Sequence, residues 1–159
     1  MKEILKEYNN ITIDNIEEVA QFTYKLLKDG DLIIMNGDLG FGKTTFVRLL
    51  SRLLQSDDIV SSPSFTLINE YNIILNNKET ILRHVDLYRL SSVAELDDIG
   101  FKDKIKEDGI TMIEWGEKFI EYFDKPYYLF EIEMINNDSR LYRISLIKWR
   151  KYCYCLYQH

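Results

Sequence analysis

Apolar positions in the first part of the chain recur with a helical period. Residues 15–29 carry apolar side chains three and four positions apart, which predicts a first helix with one buried face. Asp14 and Glu17 have the spacing of a capping box at the start of this helix. A short strand is predicted before it, over residues 8–13.

Strand and helix patterns then alternate. The apolar run at residues 32–35 is short enough to be a buried strand, and the apolar stripe from Phe46 to Leu54 predicts a helix that packs by one side. Residues 80–86 and 109–115 are predicted to form two more strands, each with an acidic residue near its carboxyl end. This alternation is typical of an α/β fold with parallel strands.

The last third of the chain has the pattern of a hairpin. Residues 128–135 and 141–148 alternate apolar and polar side chains on either side of a polar turn, and residues 75–79 form a second hairpin-like turn. We therefore expect a mixed, mainly parallel sheet with a C-terminal antiparallel hairpin. The last residues, 150–159, are expected to fray.

Composition narrows the class of protein. A chain of 159 residues suits a single domain over its whole length. The net charge of −6 argues against an autonomous nucleic-acid binder, which needs clustered lysine and arginine.

No apolar run approaches the ~20 residues of a membrane span, and the charged first residues lack a signal-peptide pattern, so we expect a cytoplasmic protein without membrane contact. Cys153 and Cys155 have neither zinc nor redox spacing and are interpreted as incidental thiols.

A phosphate-binding loop follows the apolar run. The residues from Gly37 to Thr44 match G-x-x-x-x-G-K-T, between a predicted strand and a predicted helix. Glycines let consecutive N–H groups approach an anion, the lysine ammonium adds charge where the helix dipole already favours an anion, and the threonine hydroxyl suits Mg²⁺. The motif predicts a three-layer P-loop fold that binds a nucleoside triphosphate with Mg²⁺ through Gly37, Asp38, Leu39, Gly40, Phe41, Gly42, Lys43, Thr44 and Thr45.

Two carboxylates are candidates for the metal and the attacking water. Asp86 and Glu114 lie at the carboxyl ends of predicted strands, and ligands in open α/β sheets bind beyond these ends. The alternative for each acid is a helix N-cap. His84, inside the same strand as Asp86, is interpreted as a packed core or edge residue.

Residues 59–71 are rich in hydroxyl groups, and Pro63 bars a continuous central strand there. In P-loop proteins a switch segment after the first helix reaches the γ-phosphate, so Ser62 and Ser64 are switch candidates. A serine-rich connector without such a task is equally compatible with these residues.

These motifs together resemble the TsaE family, the small bacterial P-loop ATPases of tRNA threonylcarbamoyladenosine synthesis. The resemblance covers most of the chain and is far more specific than a P-loop alone. It rests on G-D-L-G-F-G-K-T-T from Gly37, S-P-S-F from Ser62, H-V-D-L-Y-R-L from His84, E-L from Glu95 with I-G from Ile99, and I-E-W from Ile113.

The resemblance implies a weak ATPase that acts in a complex with the TsaD and TsaB proteins. In that complex TsaD transfers the threonylcarbamoyl group to the adenosine beside the tRNA anticodon, so this chain would meet tRNA only indirectly. It also implies that Thr44 and Glu114 hold Mg²⁺ and that Asp86 is required for hydrolysis. The catalytic candidates are then Lys43, Asp86 and Glu114, because Lys43 offsets developing charge and Glu114 holds the metal.

The chain departs from the family pattern at Phe41, Ser64 and Gly116, where family members usually have Ala, Thr and Pro. Ser64 keeps a hydroxyl and Phe41 keeps its backbone N–H, so we expect hydrolysis to survive. Two other functions remain open. One is a small P-loop kinase, although the chain has no arginine-rich lid insertion. The other is a nucleotide-gated binding module with negligible hydrolysis.

Overall fold

The computed structural model describes residues 1–105 and 108–148, which form a sheet with helices on both faces. In chain order the elements are β1 (Lys2–Ile11), α1 (Glu17–Leu26), β2 (Leu32–Asn36), α2 (Lys43–Leu53), β3 (Ile68–Leu75), β4 (Lys78–Asp86), α3 (Val93–Asp98), α4 (Phe101–Lys104), β5 (Ile110–Glu114), a 3-10 segment (Gly116–Tyr122), β6 (Tyr127–Met134) and β7 (Arg140–Ile147).

The seven strands are ordered β1-β7-β6-β2-β5-β4-β3. Neighbours among β6, β2, β5 and β4 pair in parallel, whereas β3 and the pair β7 and β1 add antiparallel edges. The mixed sheet, the central parallel part and the C-terminal hairpin are as predicted. The antiparallel pairs are as numerous as the parallel ones, because β1 and β3 each extend an edge.

Each face of the sheet has its own apolar core, which gives three layers. Ile33 and Met35 of β2 pack on one face with Phe46 and Leu50 of α2, while alternate residues such as Ile34 face the other core, beneath α3 and α4. Side chains of a strand point to opposite faces in turn, so a strand covered on both sides reads as a continuous apolar run. This explains why β2 was evident from the sequence.

Two details of the N-terminal region differ from the prediction. β1 begins at Lys2 because it pairs with β7 as an edge strand, and its exposed charged residues hide the strand pattern. The predicted capping box is wrong. The turn before α1 is instead held by Asn15, whose Oδ1 accepts the Thr12 N–H at 2.7 Å, and the helix has no side-chain cap from Asp14.

The turn at residues 75–79 is confirmed as the connection between β3 and β4. Leu75 pairs with Lys78, and Asn76 and Asn77 both have positive φ, of 51° and 64°, as a type I′ turn requires. Within the described ranges, every helix is too short or too polar to cross a membrane. The predicted fraying of residues 150–159, with Cys153 and Cys155, lies outside the described residues.

Candidate functional site

The glycine-rich loop joins β2 to α2 at the centre of the sheet. Gly42 is the residue before the first turn of α2 and has a φ of 96°, a conformation that side chains disfavour. Gly37, at the other end of the loop, lies against β6. A Cβ atom there would lie 2.8 Å from the carbonyl oxygen of Ile132, so only glycine fits. The conformation of the loop therefore depends on glycine at both of these positions.

Lys43 is the first residue of α2, and its side chain folds back into the loop. Its Nζ donates to the carbonyl oxygens of Gly37 at 2.5 Å and Asp38 at 3.0 Å. The same ammonium lies 4.7 Å from the centre of the Trp115 ring and 3.9 Å from Glu114 Oε2. The side chain is almost fully buried, so the charge acts at low dielectric on whatever enters the loop.

Thr44 and Glu114 form the second part of the site. The Thr44 hydroxyl donates to Glu114 Oε1 at 3.0 Å, and His84 Nε2 lies 2.8 Å from the same oxygen. Glu114 reaches this place because β5 pairs with β2, with Met35 directly opposite Glu114. A carboxylate and a hydroxyl are hard oxygen donors of the kind that Mg²⁺ prefers, so the two side chains fit this ion.

Thr44 and Glu114 supply two oxygen donors, a number that is compatible with magnesium. Within the described ranges there is no group of three or more His, Cys, Asp and Glu side chains that could hold a metal. Mg²⁺ is usually bound by one or two protein oxygens together with substrate phosphates and water. The site therefore suits a metal that arrives with a phosphorylated ligand.

Asp86 lies at the end of β4, opposite Glu114 of β5. Its Oδ2 accepts the Ser64 hydroxyl at 2.7 Å, and its Oδ1 accepts the Tyr88 backbone N–H at 3.0 Å. Ser62 and Ser64 are themselves joined, with 2.7 Å between their hydroxyl oxygens. Asp86 thus connects the sheet to the serine-rich segment, and one of its oxygens stabilises the turn that follows β4.

These residues line one cleft of about 250 Å³. The structure brings together most of the predicted P-loop residues, the two serines and both carboxylates, but Gly37, Asp38 and Phe41 do not line this cleft. It adds the rings of Tyr88 and Trp115, 5.1 Å apart between centroids. The described residues of the lining are Leu39, Gly40, Gly42, Lys43, Thr44, Thr45, Ser62, Ser64, Asp86, Tyr88, Glu114 and Trp115. A larger concavity of about 580 Å³ beside β3 includes none of these residues.

Arg89 does not join the cleft. Its guanidinium lies 4.6 Å from the centre of the Phe65 ring, in the segment that carries the two serines. Trp115 has a positive φ of 62°, and its ring contacts Lys43 while also packing against the second apolar core. From the sequence, Trp115 is only an aromatic residue after a predicted strand, and its contact with Lys43 was not predicted.

A second cavity, of about 500 Å³, opens on the other side of the P-loop. It shares Gly40, Phe41, Gly42 and Thr45 with the loop, and the turn before α1 and the β6–β7 turn complete it. Sequence reasoning missed this cavity. Its other lining residues are Ile11, Thr12, Ile13, Asp14, Ile16, Asn137, Asp138, Arg140 and Tyr142, which carry no local motif.

Tyr142 supports the loop from this side. A Cβ atom placed on Gly42 would lie 3.8 Å from the Tyr142 hydroxyl, and the Tyr142 and Phe46 rings lie 6.1 Å apart. Burial raises the pKa of Tyr142 to about 12, because the phenolate would lose its hydration.

Comparisons with known proteins show which family and which solved structure the chain is similar to. The family model described as threonylcarbamoyl adenosine biosynthesis protein TsaE matches residues 11–144. Two relatives are named tRNA threonylcarbamoyladenosine biosynthesis protein TsaE. That of Aquifex aeolicus is 37% identical over 147 residues, 91% of this chain and 96% of the relative. That of Bacillus subtilis is 30% identical over 134 residues, 84% and 81% of the two chains.

A solved structure is similar as well. The crystal structure of Bacillus subtilis YdiB aligns with a TM-score of 0.73 and 26% identity, and the alignment covers 91% of this chain and 86% of that one. The family match spans the sheet from the end of β1 into β7, including the P-loop and both acidic strand ends. On these grounds the chain belongs to the TsaE family.

Proposed function

We propose that the protein binds ATP with Mg²⁺, hydrolyses it slowly, and thereby supports formation of threonylcarbamoyladenosine in tRNA. The observation that carries the proposal is the convergence of Lys43, Thr44 and Glu114 at the mouth of a glycine loop. The role in tRNA modification is supported by the relatives, which are named for it.

Different residues of the cleft have different roles in the proposed hydrolysis. Thr44 and Glu114 would hold Mg²⁺, which neutralises charge on the β- and γ-phosphates when it is bound. The loop N–H groups and the Lys43 ammonium offset the charge that develops on the transferred phosphoryl group. Lys43 has to exchange its contacts with the Gly37 and Asp38 carbonyls for phosphate oxygens, which matches its role as a point charge on a flexible stem.

Asp86 holds the serine-rich segment at the cleft. Since Ser64 and Tyr88 each donate to one of its oxygens, its first task in this scheme is to place residues 62–64 beside the phosphates. Each carboxylate oxygen has a second acceptor site, so Asp86 can still orient an attacking water. Ser62 and Ser64 then act as the switch that responds to the γ-phosphate.

The nucleobase is assigned to the 500 Å³ cavity. This cavity adjoins the P-loop through Gly40 and Thr45, so a triphosphate in the loop would carry its base toward it. The Phe41 ring, with the Arg140 guanidinium 5.9 Å from its centre, offers an apolar wall beside polar groups of the β6–β7 turn. Such a mixture is typical of ligand pockets.

A protein partner is supported by the surface around the cleft. Leu39 and Tyr88, which line the cleft, and Phe65, which follows Ser64, are 85%, 59% and 86% exposed. Large apolar side chains grouped at the mouth of a site mark a protein contact. We propose that the partners are TsaD and TsaB, that this chain meets tRNA only through them, and that the complex works in the cytoplasm. The threonylcarbamoyl transfer then belongs to the partners, and ATP hydrolysis here supports repeated turnover.

The test is reconstitution of tRNA modification from purified TsaD, TsaB and this protein. Lys43→Ala should abolish phosphate release and multiple-turnover modification, while Lys25→Ala, an exposed lysine of α1, should leave both unchanged. Full modification with Lys43→Ala would overturn the proposal. Transfer of phosphate to a small acceptor instead of water would favour a kinase, and undiminished modification without any phosphate release in single-turnover assays would favour a binding module.

A further inference from the structure

His84 is buried in β4 without any exposed surface, and only one of its ring nitrogens has a protein partner within the described ranges. Its Nε2 lies 2.8 Å from Glu114 Oε1. Its Nδ1 is buried and has no hydrogen-bond partner there. An unpaired buried nitrogen is destabilising, so packing alone does not account for a histidine here.

The direction of the hydrogen bond follows from the partner. An ionised carboxylate can only accept hydrogen bonds, so Nε2 of His84 carries the proton and donates it. Apolar residues fill nearby buried positions on the same face, as Leu82 and Met112 do. His84 is thus a polar residue beside apolar neighbours, and the hydrogen-bond partner that the described residues give it is the side chain proposed to hold the metal.

The strand register explains how the two side chains meet. β4 and β5 are parallel neighbours, with His84 opposite Met112 and Asp86 opposite Glu114. His84 and Glu114 therefore lie on the same face of the sheet in diagonal positions, where the glutamate side chain is long enough to reach the imidazole. The imidazole reaches the carboxylate from the sheet side, while Thr44 reaches it from α2.

The contacts of Glu114 leave its two oxygens in different surroundings. Oε1 accepts from Thr44 and His84, whereas Oε2 faces the Lys43 ammonium at 3.9 Å. The Thr44 hydroxyl has lone pairs that could hold a metal ion, whereas the bond from His84 comes from the sheet side and would remain whether or not Thr44 held the ion. A hydrogen bond that does not change on binding keeps the carboxylate oriented, and such supporting contacts often determine metal affinity.

We propose that His84 is a positioning residue that holds the Glu114 carboxylate in the orientation needed to bind Mg²⁺ with ATP. This inference rests on the proposed function, since it assumes that Glu114 meets the metal. His84 touches neither nucleotide nor metal in this scheme and acts through Glu114.

The test compares two amides at position 84. The amide nitrogen of a glutamine reaches about as far as Nε2, whereas that of an asparagine reaches only to the position of Nδ1. His84→Gln should therefore keep the hydrogen bond to Glu114, and His84→Asn should lose it. Binding of a non-hydrolysable ATP analogue is measured by calorimetry in EDTA and over a range of Mg²⁺ concentrations, so that the readout does not depend on turnover.

Three results are expected. His84→Asn should need about 10- to 100-fold more Mg²⁺ for half-maximal enhancement of binding, as for the loss of other supporting contacts, with unchanged affinity in EDTA. His84→Gln should stay close to the wild type. In a Glu114→Gln background, His84→Asn should have no further effect, because the carboxylate that it positions is gone.

A matched control separates positioning from loss of stability. Val85 is buried beside His84 but faces the other core, so Val85→Ala destabilises the strand without touching Glu114. Its Mg²⁺ requirement should not change. Equal Mg²⁺ requirements for His84→Asn and the wild type would overturn this inference but not the proposed metal site. Wild-type binding that ignores Mg²⁺ would overturn the proposed metal site and this inference with it.

Discussion

Thr44 Oγ1 lies 3.0 Å from Glu114 Oε1, although 70 positions separate the two residues in the chain. The contact joins the start of α2 to the end of β5 and creates the pair of oxygen donors on which the proposed metal site depends. Glu114→Ala should reduce phosphate release by ~10²–10³, the usual cost of removing a preorganised electrostatic group from an active site.

The measurement is phosphate release at saturating ATP and Mg²⁺ with TsaD and TsaB present. Glu121→Ala, which removes an exposed glutamate from the 3-10 segment, is the matched control and should have full activity. Full activity of Glu114→Ala would refute the assignment of this residue.

The Ser64 hydrogen bond to Asp86 is predicted to hold the serine-rich segment at the cleft. Ser64→Ala loses a bond to a charged group, worth about 1.5–3 kcal/mol, so local opening of residues 61–67 should become roughly 10- to 100-fold more frequent. Hydrogen exchange of these backbone amides measures the opening. Ser62→Ala is the control, since the Ser62 hydroxyl contacts Ser64, and within residues 1–105 and 108–148 it forms no hydrogen bond to Asp86. Similar exchange in the two variants would show that Asp86 does not anchor the segment.

Gly37 is predicted to tolerate no side chain. In Gly37→Ala the new methyl group would overlap the Ile132 carbonyl, and the strain should cost about 1–3 kcal/mol and weaken ATP binding by displacing the loop. Gly30→Ala is the comparison. Gly30 has a φ of 84° but nothing within 4 Å of its would-be Cβ, so its replacement should cost stability without affecting ATP affinity. Denaturant titration and calorimetry measure the two effects, and an unchanged ATP affinity of Gly37→Ala would contradict the close contact.

Tyr142 is predicted to make stability fall at alkaline pH. Its pKa is raised to about 12 in the folded protein, so the unfolded chain ionises first as the pH rises. The stabilisation is complete below pH ~10, the ordinary pKa of tyrosine, and is lost as the pH rises toward the folded value. Between pH 9 and 12 the wild type should lose about 2–3 kcal/mol more than Tyr142→Phe. Urea unfolding across this range tests the difference, and parallel losses would exclude the buried phenol as the cause.

Local features of the chain were sufficient for the loop and its flanking elements. β2 follows from a continuous apolar run, and α2 begins at Lys43, directly after the glycine whose positive φ ends the loop. The strand and the helix start both follow from the conformational preferences of residues that are neighbours in the chain. The acidic ends of β4 and β5 were predicted for the same reason. The predicted Asp14 cap was wrong because the Asn15 side chain instead bonds to the backbone of Thr12 and forms the turn before α1.

The arrangement of these pieces was decided by the tertiary structure. Strand order places β5 beside β2, so that Glu114 meets Thr44 and Asp86 instead holds Ser64. The same order brings His84 to Glu114, and it builds the 500 Å³ cavity from turns at the two ends of the chain. The sequence by itself determined the glycine loop, the strand and helix start beside it and the two acidic strand ends, because such local elements are set by neighbouring residues. Which of these side chains touch one another depended on the pairing of distant strands, since packing and hydrogen bonds between remote segments leave no periodic pattern in the chain.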